Sequence, residues 1–238
     1  IQDGEHDFVN YSYKDIAEEN DGVFVVNADI TVGDTVFSGS TNAFSQIFEG
    51  NPTLVSAKLG TITNQENMSN YAYANMFKDC TSLVDPPELS ATTLAERCYF
   101  SMFRGCSSLV EAPELPATVL ARQSYMSMFQ DCTSLVEPPE LSATTLGDWC
   151  YYNMFQGCTS LVEMPELPAT TLTERCYVSM FRDCTSLVAT SELLATTLAS
   201  NCYSQMFYGC TSLATAPALP ATTLAASCYD NMFAGCTS

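Results

Sequence analysis

The sequence predicts an α/β solenoid, a right-handed coil of 26-residue units with short parallel strands on one face and helices on the other. Three observations predict it. The pair Met-Phe recurs at 76/77, 102/103, 128/129, 154/155, 180/181, 206/207 and 232/233, always 26 residues apart. Each unit opens on spaced leucines, and each closes on an amphipathic stretch. A period in the twenties with that internal order marks a stacked strand-plus-helix unit, which buries its apolar side only against its neighbours.

The strand comes from the first half of each unit, as in Leu161-Val162-Glu163-Met164-Pro165-Glu166-Leu167-Pro168. Prolines at 87, 113, 139, 165 and 217 cannot donate to a ladder, so the strands should be only three or four residues long. At about 4.8 Å per stacked strand, seven or eight units give a curved rod roughly 35 to 40 Å long. The units also alternate in pairs, with Pro-Pro-Glu-Leu-Ser at 86–90 and 138–142 against Ala/Met-Pro-Glu-Leu-Pro at 112–116 and 164–168.

The helix comes from the second half. At 100° per residue, Leu146, Cys150, Tyr151, Met154, Phe155 and Cys158 share one half of the wheel, and Trp149, Tyr152 and Gln156 face the other way. Thr93 with Glu96, Thr145 with Asp148 and Thr171 with Glu174 have the spacing of a capping box. The helix should end at Asp79, Gly105, Asp131, Gly157, Asp183, Gly209 and Gly235, residue types that tolerate a left-handed backbone.

Residues 1–46 do not follow the repeat and are expected to cap the apolar end of the solenoid, with short strands at Val23-Phe24-Val25-Val26 and Ile30-Thr31-Val32. Residues 47–238 form the solenoid. Its first unit, Ile47 to Val55, is degenerate and carries three extra residues before the register settles, and its last unit stops at Cys236-Thr237-Ser238, in mid-unit. The chain starts at Ile1 without Met or a basic-plus-apolar leader, which is compatible with a removed export signal.

Composition narrows the function classes. Twenty-seven acidic residues against eight basic ones give a net charge of −19, which repels the phosphates of nucleic acid and of anionic lipid. No apolar run approaches the roughly 20 residues that span a bilayer, so no membrane insertion is expected. No phosphate loop or nucleophile elbow occurs, and with His6 as the single histidine the usual general-base dyads are unavailable. Neither catalysis nor a cofactor is therefore expected, and no metal site either, because no Cys-x-x-Cys occurs. The twelve cysteines fall in two columns: 80, 106, 132, 158, 184, 210 and 236, then 98, 150, 176, 202 and 228, with Ser124 standing in the second. A bridging scheme repeated from unit to unit would leave Cys106 opposite Ser124, so the thiols read as free, small core hydrophobes. The Met-Phe, Tyr and Leu columns read as core.

Two surface features are candidate binding sites. Glu88, Glu114, Glu140, Glu166 and Glu192 form one acidic column, with Asp85, Glu111, Glu137 and Glu163 beside it. Like charges about 5 Å apart repel by on the order of 1 to 3 kcal/mol per pair, so the column suits a cationic or Ca2+-bridged partner. Solubility and blocking of stray strand pairing are served equally. On the outer helix face Phe100, Met126, Trp149 and Tyr152 form an apolar strip, open either to a partner or to cover by neighbouring units.

The text M-F-x-x-C-T-S-L-V-x-x-P-E-L-x-A-T-T-L-x-x-x-C-Y, repeated over residues 47–238, resembles that of the BspA-like leucine-rich repeat surface proteins. The resemblance implies a leucine-rich-repeat-like superhelix, secreted or on the cell surface, that adheres to a protein or glycan ligand without catalysis. Many family units are shorter and use an Ile-Pro strand, where these use Pro-Glu-Leu. A structural spacer holding another domain at the surface is an alternative role. A glycan-degrading enzyme using stacked glutamates is a lesser one, since catalytic carboxylate pairs are singular and these acids recur in nearly every unit.

Overall fold

The structure is a computed structural model that describes residues 23–25, 44–58 and 68–237. The expected strand at 30–32, most of the 1–46 cap and His6 lie outside the described residues.

Repetition in the sequence becomes register in space. Phe48, Phe77, Phe103, Phe129, Phe155, Phe181, Phe207 and Phe233 stack face over face, with centroids 5.5–5.8 Å apart and planes within 9° of parallel. A second file runs from Phe44 through Tyr73, Tyr99, Tyr125, Tyr151, Tyr177 and Tyr203 to Tyr229 at 5.4–6.0 Å. Phe48 stacks on Phe77 across 29 residues, so the extra residues of the first unit leave the ladder intact. Around these files Met76, Met102, Met128, Met154, Met180, Met206 and Met232 and the leucines Leu83, Leu109, Leu135, Leu161 and Leu187 are buried, forming one continuous core. Burial of apolar area contributes on the order of 25 cal/mol per Å2, so these files are the main stabilising term.

Two strands occur among the described residues. β1 (Val23–Val25) pairs in parallel with β2 (Ser56–Lys58), Val23 opposite Ser56, which joins the first expected cap strand to the first unit. Beyond β2 the strands of three or four residues expected in each unit reduce to single parallel bridges: Ser56 to Asp85, Glu111 to Glu137, Glu163 to Ala189, Leu167 to Leu193, and Thr93 to Val119 to Thr145. Pro87, Pro113, Pro139 and Pro165 are buried in the middle of this half and have no N–H to donate, so pairing cannot propagate through them. Where the column carries Ser191 instead, its hydroxyl donates to Met164 O at 3.2 Å.

The expected helices do not form among the described residues; the second half of each unit is a ribbon of turns. Every fourth residue has a left-handed backbone: Arg97, Ser101 and Gly105 at φ 56°, 51° and 74°, then Gln123, Ser127 and Asp131 at 57°, 56° and 61°. Backbone bonding alternates along the ribbon. Ser124, Met126, Met128, Gln130 and Cys132 donate to carbonyls three residues back, whereas Gln123, Tyr125, Ser127, Phe129 and Asp131 donate to Asp148, Cys150, Tyr152, Met154 and Gln156 of the next unit. This answers the demand that buried N–H and C=O groups be paired, and it offsets the 1–2 kcal/mol or so that each non-glycine left-handed residue costs. The capping boxes are absent for the same reason. Asp148 Oδ1 accepts from the Glu174 N–H of the next unit at 3.1 Å, and Thr173 Oγ1 donates to Gly147 O at 3.0 Å. The left-handed column expected at Asp79, Gly105, Asp131, Gly157, Asp183, Gly209 and Gly235 is present, with φ between 59° and 79°.

Candidate functional site

The extended half of each unit builds the face that carries the candidate acids. Its burial alternates, with Pro139, Leu141 and Ala143 inward and Glu140, Ser142 and Thr144 outward, as a two-residue side-chain period requires. Glu88, Glu114, Glu140, Glu166 and Glu192 are therefore all exposed, at equivalent positions of successive units. Asp85, Glu111, Glu137 and Glu163 are exposed as well, and Glu111 and Glu137 are direct partners of a parallel bridge. Among the described residues none of these nine carboxylates enters an ion pair.

Most of the described basic side chains lie on the ribbon and are engaged there. On the ribbon Lys78 Nζ lies 2.7 Å from Glu49, Arg122 3.2 Å from Glu96, Arg175 3.3 Å from Glu174 and Arg182 3.3 Å from Asp183, with Arg104 4.0 Å from Asp131. Among the described side chains charge is thus segregated: the ribbon mixes both signs, and the nine carboxylates of the extended face have no ion-pair partner.

Parts of the outer strip contact other side chains. The Arg175 guanidinium sits over the Trp149 ring at 4.5 Å, and Trp149 lies against Tyr152 at 5.1 Å. Gln123 Nε2 donates to Met126 Sδ at 3.3 Å while its Oε1 accepts from Arg97 Nε at 2.5 Å, and Arg97 also donates to the Tyr71 hydroxyl. Trp149, Tyr152, Met126 and Phe100 are all half-buried. The cation–π contact of Arg175 on Trp149 joins neighbouring units, and the contacts of Tyr152 and Met126 lie within their own units.

A file of valines beside the acids was not singled out in the sequence. Val55, Val84, Val110, Val136, Val162 and Val188 are 36–52 % exposed, on a face where the neighbouring leucines are fully buried. The signal was the Leu-Val pair that opens each unit: adjacent residues of an extended chain point opposite ways, so only one of the two enters the core.

The thiols are core chemistry. Cys106, Cys132, Cys158, Cys184 and Cys210 each donate Sγ–H to the carbonyl of a preceding unit's phenylalanine, Phe77, Phe103, Phe129, Phe155 and Phe181, at 3.0–3.1 Å. Burial pushes the thiols of Cys80, Cys98, Cys176 and Cys210 up to about 12 and that of Cys202 up to about 11. A thiol so raised stays protonated at neutral pH and is a poor nucleophile. Among the described residues no three His, Cys, Asp or Glu side chains converge as a metal site, and no helix is long and apolar enough to cross a membrane. No family model matches the chain, and no curated protein or solved structure is significantly similar to it.

Proposed function

We propose that the protein is a non-catalytic recognition module outside the cell, a leucine-rich-repeat-like right-handed solenoid whose extended face binds a cationic protein or glycan ligand. The observation that supports this reading is the set of nine carboxylates on one face without an ion-pair partner among the described residues, while Lys78, Arg122 and Arg182 are already paired on the ribbon. Stacked like charges oppose folding, and a cationic ligand relieves them on binding. Binding to a panel of cationic and neutral proteins and glycans tests it, with Glu111, Glu114, Glu137 and Glu140 changed together to Gln. Ligand affinity should fall at least tenfold and lose most of its salt dependence. Undiminished binding by the fourfold variant overturns the reading, as does glycan hydrolysis that vanishes with Glu140→Gln or Glu166→Gln.

A further inference from the structure

Six of the ten large apolar side chains exposed among the described residues fall in the valine file. Single exposed apolar residues are ordinary, but a continuous file with charge along one edge marks a contact surface. Val84, Val110, Val136 and Val162 are each followed directly by an exposed acid: Asp85, Glu111, Glu137 and Glu163. The residues that precede the valines are uncharged, Thr-Ser-Leu at 81–83, 133–135 and 159–161 and Ser-Ser-Leu at 107–109. The file is therefore an apolar ridge with negative charge directly after it along the chain.

From this we infer that the valine file docks a basic amphipathic α-helix, which lays its apolar stripe along the file and reaches Lys or Arg across to the adjacent acids. The inference rests on the recognition reading above and gives the partner its form. Spacing favours a helix over a strand. Stacked units rise about 4.8 Å, close to the 5.4 Å or so of one helical turn, whereas two residues of an extended chain advance about 6.7 Å and fall out of step within two units. Six valines span about 24 Å, the length of about 16 helical residues. Charge complementarity selects the occupant. A second copy of this chain would bring another net charge of −19 against the same acids, and an anionic lipid surface is repelled in the same way.

The test uses a synthetic Leu/Lys peptide of about 18 residues patterned as an amphipathic helix, beside a scrambled peptide of the same composition and an oligolysine of equal charge. Anisotropy of labelled peptides is read between about 50 and about 300 mM salt. The patterned peptide should bind the whole chain about tenfold or more tighter than either control. Val110→Ser with Val136→Ser should weaken it about tenfold while leaving oligolysine binding unchanged, and Glu111→Gln with Glu137→Gln should weaken all three probes and flatten their salt dependence. Equal binding of the patterned and scrambled peptides, or indifference to the valine substitutions, overturns the helical partner. So does a dimer in sedimentation that the valine substitutions dissociate. If the glutamine variant still weakens oligolysine binding, the recognition reading survives that failure; if no cationic probe responds to it, both fall.

Discussion

A β-carbon added to Gly157 would fall 2.5 Å from Asp131 Oδ1. The carboxylate of one unit occupies the space that the glycine of the next leaves empty, and Asp79 over Gly105 and Asp183 over Gly209 repeat the relation at 2.3 Å. This fits the alternation of Asp and Gly down the column, and gives one physical reason for the pairing of units seen in the sequence. Gly157→Ala should therefore destabilise on two counts, the left-handed backbone at φ 75° and the collision with Asp131. The strain alone is worth about 1–2 kcal/mol. Gly50→Ala, also left-handed at φ 74° but with nothing within 4 Å, should show the strain only. Adding Asp131→Ala to Gly157→Ala should recover part of the larger loss. Denaturant midpoints for the four proteins check it, and equal losses at Gly50 and Gly157 would mean that the carboxylate yields freely.

Ser124 sits fully buried in a file of cysteines, and its hydroxyl has no hydrogen-bond partner. An unsatisfied buried hydroxyl costs about 1–3 kcal/mol, and sulfur is both larger and less polar. Ser124→Cys, which restores the residue found at Cys98 and Cys150, should raise Tm by several degrees, at about 2–4 °C per kcal/mol for a chain of this size. Ser124→Ala should fall between the two, since it removes the unmet hydroxyl but leaves a small void. A Tm ranking with Ser124 at the top would show that the hydroxyl is satisfied after all.

The repeat was legible because each column holds one residue type for one reason: phenylalanine and tyrosine stack on themselves, and a buried thiol tolerates only a similar small side chain. The ribbon was not legible as a ribbon. Cys98, Met102 and Cys106 recur every four residues, and over ten residues a period of 4.0 is hard to tell from one of 3.6. The clue that separates them is Arg97, Trp149 and Arg175, bulky residues held left-handed at φ 55–61°. Their side chains carry no such preference; the conformation is imposed by hydrogen bonds to a unit 26 residues away. The acids of the candidate site were found because like charges at a fixed spacing stand out. The valine file was passed over because an apolar residue in an extended segment reads as core.

The buried thiols make stability pH-dependent in one direction. Burial holds the protons of Cys80, Cys98, Cys176 and Cys210 in the folded chain to about 12, well above the ordinary value of 9.0. Their contribution is intact below about pH 9 and is lost as pH climbs from there toward 12, because the unfolded chain ionises first. At pH 10 each such thiol withdraws about 1 kcal/mol. Buried tyrosines such as Tyr99 and Tyr151, whose hydroxyls burial also raises, add to the loss at still higher pH. Tm should hold near neutrality and fall steeply from about pH 9 upward, and Cys132→Ala should flatten that fall by about one thiol's share. Alkylation of the denatured chain without reductant should add twelve labels, since all twelve cysteines are free. A Tm that is level to pH 11 would contradict the burial of these groups.

The exposed pair Glu111 and Glu137 sets up the opposite kind of test, because its two carboxylates face each other across a parallel bridge with no cation at either. At a separation of about 5 Å in water-like surroundings their repulsion amounts to about 1 kcal/mol, present in the folded chain and largely relieved when unfolding separates them. Glu137→Gln removes the charge while keeping the shape and backbone of the residue, and it also relieves the approach to Glu163 in the next unit. The variant should melt a few degrees higher at low salt, and the advantage should shrink as salt rises past about 0.15 M, where screening already weakens the repulsion. Glu49→Gln is the matched control of opposite sign: Glu49 lies 2.7 Å from Lys78, so neutralising it removes an attraction and should lower Tm slightly. Melting curves of the three proteins between about 0.02 and 0.5 M salt decide the matter. If Glu137→Gln melts at or below the parent temperature across that range, the stacked acids exert no net repulsion on the fold, and a cationic ligand would have no strain to relieve.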